Sequence, residues 1–472
     1  MRHARRTYAM LLALCCALAA AFLTAAPAQA APLTIPNGTQ FTATSGDPVH
    51  AHGGGVIKVG SYYYWFGEHR ADDNTFQYVD AYRSTDLKNW EFRNHVLTRS
   101  SATELASANI ERPKVMYNAA TGKFVMWMHK ESATDYSEAR AAVAVSDTVD
   151  GTYAYQGSFR PLGQHMSRDI TVFTDTDGTG YMASAANENY DLHLYRLTAD
   201  YTGIASLVAN PWPGGHREAP ALFKRGSVYF MLTSGATGWS PNQQQYATAT
   251  SLAGPWSAMR NVGDSTTYGS QTAYVLPVQG SSGTGYLYMG DRWGNSFGSN
   301  VNGSRYVWLP LTFPNSTTMS MSWSPEITVD TAAGTVTGTT ATYSTLVARH
   351  SAKCADVPDQ SLLEGVAVTQ YTCNGGANQK FWFKDLGGGS YALVGRGSSL
   401  CLTENATNVT QEDCTGASGQ QWTATASGGY WTIKARTTGE CLDVNGASTA
   451  DSAAIITYAC NGGANQQWTR GS

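Results

Sequence analysis

The sequence predicts an all-β chain in two domains, and three observations lead there. Of its 472 residues, 53 are aromatic and 48 are Gly, while only 66 carry charge. Such a chain has the apolar surface to offset ordering entropy, and its Gly and Tyr/Trp excess favours strands and turns over helical bundles. A Gly turn followed by an aromatic strand then recurs through the first 330 residues, and residues 343–472 repeat themselves three times with their cysteines in register. The formal charge of −4 is mild, and no Lys/Arg cluster is interleaved with stacking aromatics, which argues against nucleic acid as a partner.

The first element is an address. Arg2, Arg5 and Arg6 precede an apolar run from Ala9 to Leu23, and Ala28-Gln29-Ala30 offers small residues for cleavage. This reads as a secretory signal peptide over residues 1–30, too short and too Ala-rich for a transmembrane span. Arg5-Arg6 fits a twin-arginine signal only loosely. Removal of this segment leaves 28 Lys/Arg against 35 acids, a net −7, and takes away Cys15 and Cys16. The mature chain is expected to be extracellular, monomeric and free of membrane spans.

The second element, residues 31–330, carries five copies of one pattern. They are Gly60-Ser-Tyr-Tyr-Tyr-Trp-Phe-Gly67, Gly122-Lys-Phe-Val-Met-Trp-Met128, Asp177-Gly-Thr-Gly-Tyr181, Gly226-Ser-Val-Tyr-Phe-Met231 and Gly283-Thr-Gly-Tyr-Leu-Tyr288. A second pattern recurs between them, in Ser84 to Trp90, Ser146 to Tyr153 and Thr250 to Trp256. Short strands, hairpin turns and a period of roughly 50 residues are what a β-propeller blade needs, so five copies imply a five-bladed β-propeller. Only Glu138 to Val145 has any helical potential, and its Ala-Val alternation suits a strand equally well.

The third element, residues 331–342, holds no charge and no large side chain and is expected to be a flexible linker. The fourth, residues 343–472, contains all six remaining cysteines: Cys354, Cys373, Cys401, Cys414, Cys441 and Cys460. Cys373-Asn-Gly-Gly-Ala-Asn-Gln379 recurs letter for letter as Cys460 to Gln466, with a degenerate copy from Cys414 to Trp422 between them. Six cysteines allow fifteen connectivities, and the threefold repetition favours Cys354–Cys373, Cys401–Cys414 and Cys441–Cys460. The repeats, with Gln379-Lys380-Phe381, Gln420-Gln421-Trp422 and Gln466-Gln467-Trp468 as Gln-x-Trp signatures, resemble the ricin-B-type β-trefoil, carbohydrate-binding module family 13.

That resemblance implies a sugar site per lobe, built from an Asp, an aromatic platform and an Asn-Gln pair. An aromatic face packs on the C–H face of a pyranose while Asp and Asn fix hydroxyl geometry. Lobe one offers Asp356, Tyr371, Asn378 and Gln379; lobe three offers Asp443, Tyr458, Asn465 and Gln466. Lobe two has Thr403, Glu412 and Gly419 at the matching positions, so two competent sites and one dead one are expected. The two Gln residues serve equally well as braces of the fold.

Glycosidic cleavage needs a pair of carboxyl groups, one of them protonated near neutral pH. Three acids begin strand-like segments in successive repeats: Glu111 in Asn-Ile-Glu-Arg-Pro-Lys-Val, Asp169 in Arg-Asp-Ile-Thr-Val-Phe, and Glu218 in His-Arg-Glu-Ala-Pro-Ala-Leu-Phe-Lys. These motifs resemble glycoside hydrolase family 43, which implies an inverting mechanism with Glu218 as general acid and Asp169 as modulator of its pKa. The general-base Asp of that family falls on Gly53 of His50-Ala-His-Gly-Gly-Gly-Val-Ile-Lys58 and is missing. Ala51-His-Gly-Gly-Gly55, Glu111-Arg-Pro-Lys-Val115 and Ser270-Gln-Thr-Ala-Tyr274 resemble the exo-β-1,3-galactanase branch, in which a Glu and a Gln matching Glu111 and Gln271 line the cleft.

The expected activity is therefore exo-hydrolysis of β-1,3-galactan or arabinogalactan, with that polysaccharide as partner. The alternatives are α-L-arabinofuranosidase, β-xylosidase or a non-catalytic sugar-binding protein. Trp65, Tyr117, Trp239 and Trp293 are candidates for sugar stacking. His50, His52 and His216 lack metal-ligand spacing, and Asp175-Thr-Asp177-Gly178 reads as a hairpin turn rather than a calcium loop, so no metal and no cofactor are expected.

Overall fold

Each Gly-turn copy forms the hairpin between the first two strands of a four-stranded antiparallel sheet. The structure, a computed structural model, describes residues 32–406 and 408–471; the expected signal peptide lies outside the described residues. Sheet one comprises His52–Val59, Tyr62–Arg70, Phe76–Ser84 and Glu91–Thr98. Sheet two comprises Ala108–Asn118, Lys123–Ser132, Arg140–Ser146 and Ala154–Phe159. Sheet three follows with Ile170–Thr174, Gly180–Ala186, Asp191–Leu197 and Ile204–Ala209. Sheet four has Arg217–Arg225, Val228–Gly235, Gln245–Ala249 and Arg260–Asn261. Sheet five has Gln271–Gly280, Gly283–Arg292, Arg305–Thr312 and Ser320–Met321.

Sequence explains both joints of each sheet. Gly60, at φ +60°, takes the left-handed conformation that a tight hairpin demands and that L side chains disfavour. The second recurring pattern joins third and fourth strands and plugs the sheet edge with buried side chains, Leu87 and Trp90 in sheet one and Val149 and Tyr153 in sheet two. Residues 140–146 are a strand, as their alternation allows.

The first strands touch one another in a closed ring, from sheet one through sheet five and back to one, which makes the arrangement propeller-like. Apolar side chains fill every gap between neighbouring sheets. Trp65, Trp90, Tyr306 and Trp308 pack between sheets one and five, and four further clusters occupy the other gaps. Large aromatics suit these wedge-shaped spaces, where one ring covers area that several aliphatic groups would need to cover.

Residues 331–342 are not a flexible linker. Thr335–Gly338 forms a strand on Glu326–Asp330, which in turn pairs with Leu33–Pro36 in a three-stranded sheet. The small side chains that suggested flexibility instead let two backbones meet. Ser281 N donates to Ala332 O at 2.8 Å and Gly285 N to Gly334 O at 2.7 Å, and a Cβ on Gly280 would lie 2.1 Å from Gly334 N.

The cysteine-rich segment is trefoil-like and also all-β. Its core gathers Phe381, Trp422 and Trp468 with Leu346, Leu393, Leu402, Ile433, Leu442 and Ile455. Trp422 and Trp468 donate their indole N–H to Leu402 O and Leu442 O, at 2.9 and 3.0 Å. The disulfides Cys354–Cys373, Cys401–Cys414 and Cys441–Cys460 form as the repeat indicated. This segment belongs to the same compact unit as the sheets, Leu33–Ser472. Trp323 Nε1 donates to Tyr343 Oη at 3.1 Å, Lys384 pairs with Glu326, and Arg292 and Arg305 approach the Ser398 carbonyl.

Candidate active site

The inner strands bulge at one end, and the bulges build the site. Register shifts interrupt the first strands of sheets one, two, four and five at His52–Gly55, Glu111–Lys114, Glu218–Ala221 and Thr272–Tyr274. Three bulge residues are left-handed: Gly53 (φ +62°), Arg112 (+53°) and Ala219 (+50°). A bulge re-aims neighbouring side chains, and a left-handed non-Gly residue costs on the order of 1–3 kcal/mol, so the surrounding packing must hold these conformations in place.

Glu111, Arg112, Glu218 and Gln271 of these strands line a cavity of about 290 Å³ together with Glu68, from the second strand of sheet one, and Asp169, just ahead of sheet three. All four residues expected to carry the chemistry therefore meet. Glu218 is buried; its Oε1 accepts from Gln271 Nε2 and its Oε2 from Asn189 Nδ2, both at 2.9 Å. Burial first, and the Asp169 charge second, push its carboxyl up to about 8. Asp169 accepts from Ala219 N at 3.1 Å, inside the Glu218 bulge, and its Oδ2 pairs with Arg112 at 3.1 Å.

The Gln271 amide is fully committed. Its oxygen accepts from Arg112 at 2.5 Å and Trp293 Nε1 at 2.8 Å; its nitrogen donates to Glu218 and to Ser234 Oγ, both at 2.9 Å. Two obligate donors on one side fix which end is oxygen.

Glu111 accepts from Arg70 and Tyr136 Oη, both at 2.8 Å, and its Oε2 lies 3.2 Å from His129 Nδ1. Burial alone would raise this carboxyl, but the Arg70 charge and His129 outweigh it and hold it well below the usual carboxylate range. His129 also bonds the buried Glu131 at 2.8 Å; despite desolvation its two carboxylates push it up to about 9. Ligand atoms of Glu111, His129 and Asp169 lie within 4.8 Å of one another, but the imidazolium already supplies the positive charge that a metal would bring there.

Gly53, where an Asp was expected, is occupied from elsewhere. A Cβ on Gly53 would lie 2.4 Å from Glu68 Oε1, so the Glu68 carboxylate fills the place of the absent side chain. Glu68 accepts from Arg112 N at 2.9 Å and from Arg70 at 2.7 Å, and burial pushes its carboxyl up. Lys114, driven down to about 7 by burial, donates to the Gly53 carbonyl at 2.6 Å, while Gly53 N donates to Asp291 at 2.8 Å. Sequence reasoning missed Glu68, Arg70, His129 and Asn189. The available signal was Glu68-His-Arg70, a charged triplet ending an otherwise aromatic strand just past the recurring motif.

Of the aromatic candidates, Trp239 and Trp293 line the cavity. Trp65 belongs to the core, 2% exposed, and Tyr117 is exposed beside the hairpin turn of sheet two, against Phe124. His52 is buried on Asp291 at 3.0 Å and His216 packs on Tyr190. Asp175 closes a hairpin turn and holds Lys224 at 2.7 Å.

In lobe one, Asp356 Oδ2 accepts from Asn378 at 3.0 Å and Gln379 at 2.8 Å, with Tyr371 exposed nearby. Lobe three repeats this with Asp443, Asn465 at 2.9 Å, Gln466 at 2.8 Å and exposed Tyr458. The buried Gln379 and Gln466 also bond their own loops, at Asn374 N and Asn461 N. Gln420 makes the same loop bond, to Thr415 N, in lobe two, where Thr403 replaces the Asp.

Residues 50–281 match the model of the glycosyl hydrolases family 43, and residues 342–468 that of the ricin-type β-trefoil lectin domain. An exo-β-1,3-galactanase from Clostridium thermocellum is 48% identical, covering 93% of this chain and 99% of its own with a TM-score of 0.65. The exo-β-1,3-galactanase from Phanerochaete chrysosporium, solved with β-1,3-galactotriose, is 28% identical over 93% of this chain and 92% of its own, TM-score 0.64. A curated xylan 1,3-β-xylosidase from a Vibrio species is 23% identical over 201 residues, which span 38% of this chain and about a third, 35%, of that protein.

Proposed function

We propose, from the premise that this chain belongs to glycosyl hydrolases family 43, that it is an inverting exo-β-1,3-galactanase whose trefoil holds the same polysaccharide. The observation that carries this reading is Glu218, a buried carboxyl pushed up to about 8 and held between two amides beside Asp169. It keeps its proton at neutral pH, which is what a general acid requires. Likeness to two galactanases supports the substrate.

In this mechanism Glu218 gives its proton to the glycosidic oxygen as the bond to the anomeric carbon breaks. Asp169, held by Arg112, keeps Glu218 protonated until then. Water attacks the opposite face and passes its proton to a carboxylate. We assign that acceptor to Glu68, which stands in the place of the missing Asp and whose burial makes it the stronger base. Glu111, held ionised by Arg70 and His129, binds sugar hydroxyls. Gln271 has no spare hydrogen-bonding position for water, and its part is to orient Glu218.

The ring of five sheets supports a five-bladed propeller within residues 31–330, followed by the trefoil at 343–472. Asp356, Tyr371 and Asn378 form one sugar site and Asp443, Tyr458 and Asn465 another, with lobe two inactive. Three disulfides and the N-terminal sequence support an extracellular place of action.

The test is hydrolysis of β-1,3-galactan, arabinan and xylan, with product anomers followed by NMR. Release of α-galactose from galactan, lost in Glu218→Gln, is expected. Activity on arabinan alone, or a β-anomer as first product, would overturn the assignment.

A further inference from the structure

Sheet one carries a second cluster of ligating side chains, separate from the catalytic cavity. Three adjacent strands give one residue each: His69, Asp80 and His95, with Asp80 and His95 directly paired across the strands. His69 falls between Glu68 and Arg70, so strand alternation turns it away from the side those two serve. Asp80 is buried, with Oδ2 2.8 Å from His69 Nδ1 and Oδ1 2.5 Å from His95 Nδ1. One ligating atom from each residue lies within 4.8 Å of the other two.

Both rings are fixed in place. Tyr78 stacks on His95 at 3.8 Å and His50 packs on His69 at 4.2 Å. The imidazoles keep an open side, with His69 and His95 side chains 23% and 41% exposed. Beside them the Nδ1 of His50 is buried without a hydrogen-bond partner.

We propose that His69, Asp80 and His95 form a binding site for a first-row divalent transition ion of the Zn²⁺ class. Two imidazoles and one carboxylate with open positions are a donor set suited to such ions. Metal bonds of about 2.0–2.2 Å place neighbouring ligand atoms roughly 3–3.5 Å apart, a spacing that falls between the 2.5 and 2.8 Å contacts to Asp80 and the 4.8 Å that bounds the cluster. Without metal, each Nδ1–H donates to Asp80. With metal, the imidazole proton resides on Nε2 and the Nδ1 lone pairs turn to the ion, while water fills the exposed positions. The ion clamps three strands of the sheet that carries Glu68 and Arg70.

The experiment uses the full-length protein after EDTA treatment and dialysis. Titration with Zn²⁺ by calorimetry is expected to give one site, a raised Tm, and with Co²⁺ a visible absorption band. His95→Ala and, separately, His69→Gln are expected to weaken Zn²⁺ binding at least tenfold and abolish the band, with circular dichroism confirming that each is folded. Glu111→Gln, in the other cluster, is expected to retain both signals. No Zn²⁺ binding by the wild-type protein, or binding unchanged in both folded histidine variants, overturns the proposal.

Discussion

At Gly53 the consequence of one missing side chain spreads to its neighbours. Glu68 Oε1 sits 2.4 Å from where a Cβ would be, and the residue is left-handed, so even a methyl group strains the backbone and displaces the carboxylate. Gly53→Ala is expected to lower kcat on galactan at least tenfold while the trefoil goes on binding galactan in pull-downs; near-wild-type turnover would remove Glu68 from the mechanism. Glu218 makes a second expectation at this scale. Its acid form is the active one and its carboxyl is pushed up to about 8, so kcat/KM should hold through neutrality and fall tenfold per pH unit above about 8. Asp169→Asn removes the second-largest cause of that shift, so the alkaline limb should move to lower pH. A limb that stays in place in the pH–rate profile would mean burial alone sets the acid.

Elements differ in how plainly their residues announce them. The five hairpins were readable because each needs Gly at the turn and aromatics in the next strand, both local demands, and the threefold Gln-x-Trp and cysteine pattern gave the disulfides for the same reason. The bulges were legible only in part: Arg112 and Ala219 each precede a proline, Pro113 and Pro220, which inside a strand marks a bulge, but a residue before proline ordinarily takes extended backbone, so the left-handed φ itself is not announced. Glu68 was missed because its importance depends on an empty place fifteen positions away in sequence and opposite it in space. The trefoil Gln residues illustrate a shared motif with two readings. Gln379, Gln420 and Gln466 are all buried and each ties its own loop, including in the lobe that lacks a sugar-binding Asp. Gln420→Ala and Gln466→Ala are therefore expected to destabilise the trefoil alike, by about 1–3 kcal/mol, the cost of orphaning buried partners. Tyr371→Ala with Tyr458→Ala should instead abolish galactan pull-down at unchanged Tm. If Gln420→Ala melts as wild type in denaturant titrations, the brace assignment fails.

For the whole molecule, the segment 331–342 decides where one half ends. Composition alone places the boundary at residue 330, because twelve small uncharged residues have nothing to bury. Backbone hydrogen bonds supply what side chains do not: Thr335–Gly338 completes the sheet that holds Leu33–Pro36, and residues 332–334 cap the hairpin at Gly280–Gly285. Deleting the trefoil at residue 330 leaves Glu326–Asp330 as an unpaired edge and frees the donors Ser281, Ser282 and Gly285, whereas ending at residue 340 keeps every one of these bonds. Both truncations lose the same contacts to the trefoil, among them Trp323 with Tyr343 and Glu326 with Lys384. Their difference therefore isolates the segment. At about 0.5–1.5 kcal/mol for each hydrogen bond, several lost together should lower the Tm of the 33–330 protein by several degrees relative to 33–340. The shorter protein should also associate through its exposed edge at high concentration. Scanning calorimetry and sedimentation of the two side by side provide the check; coincident melting curves would restore the segment to a passive linker.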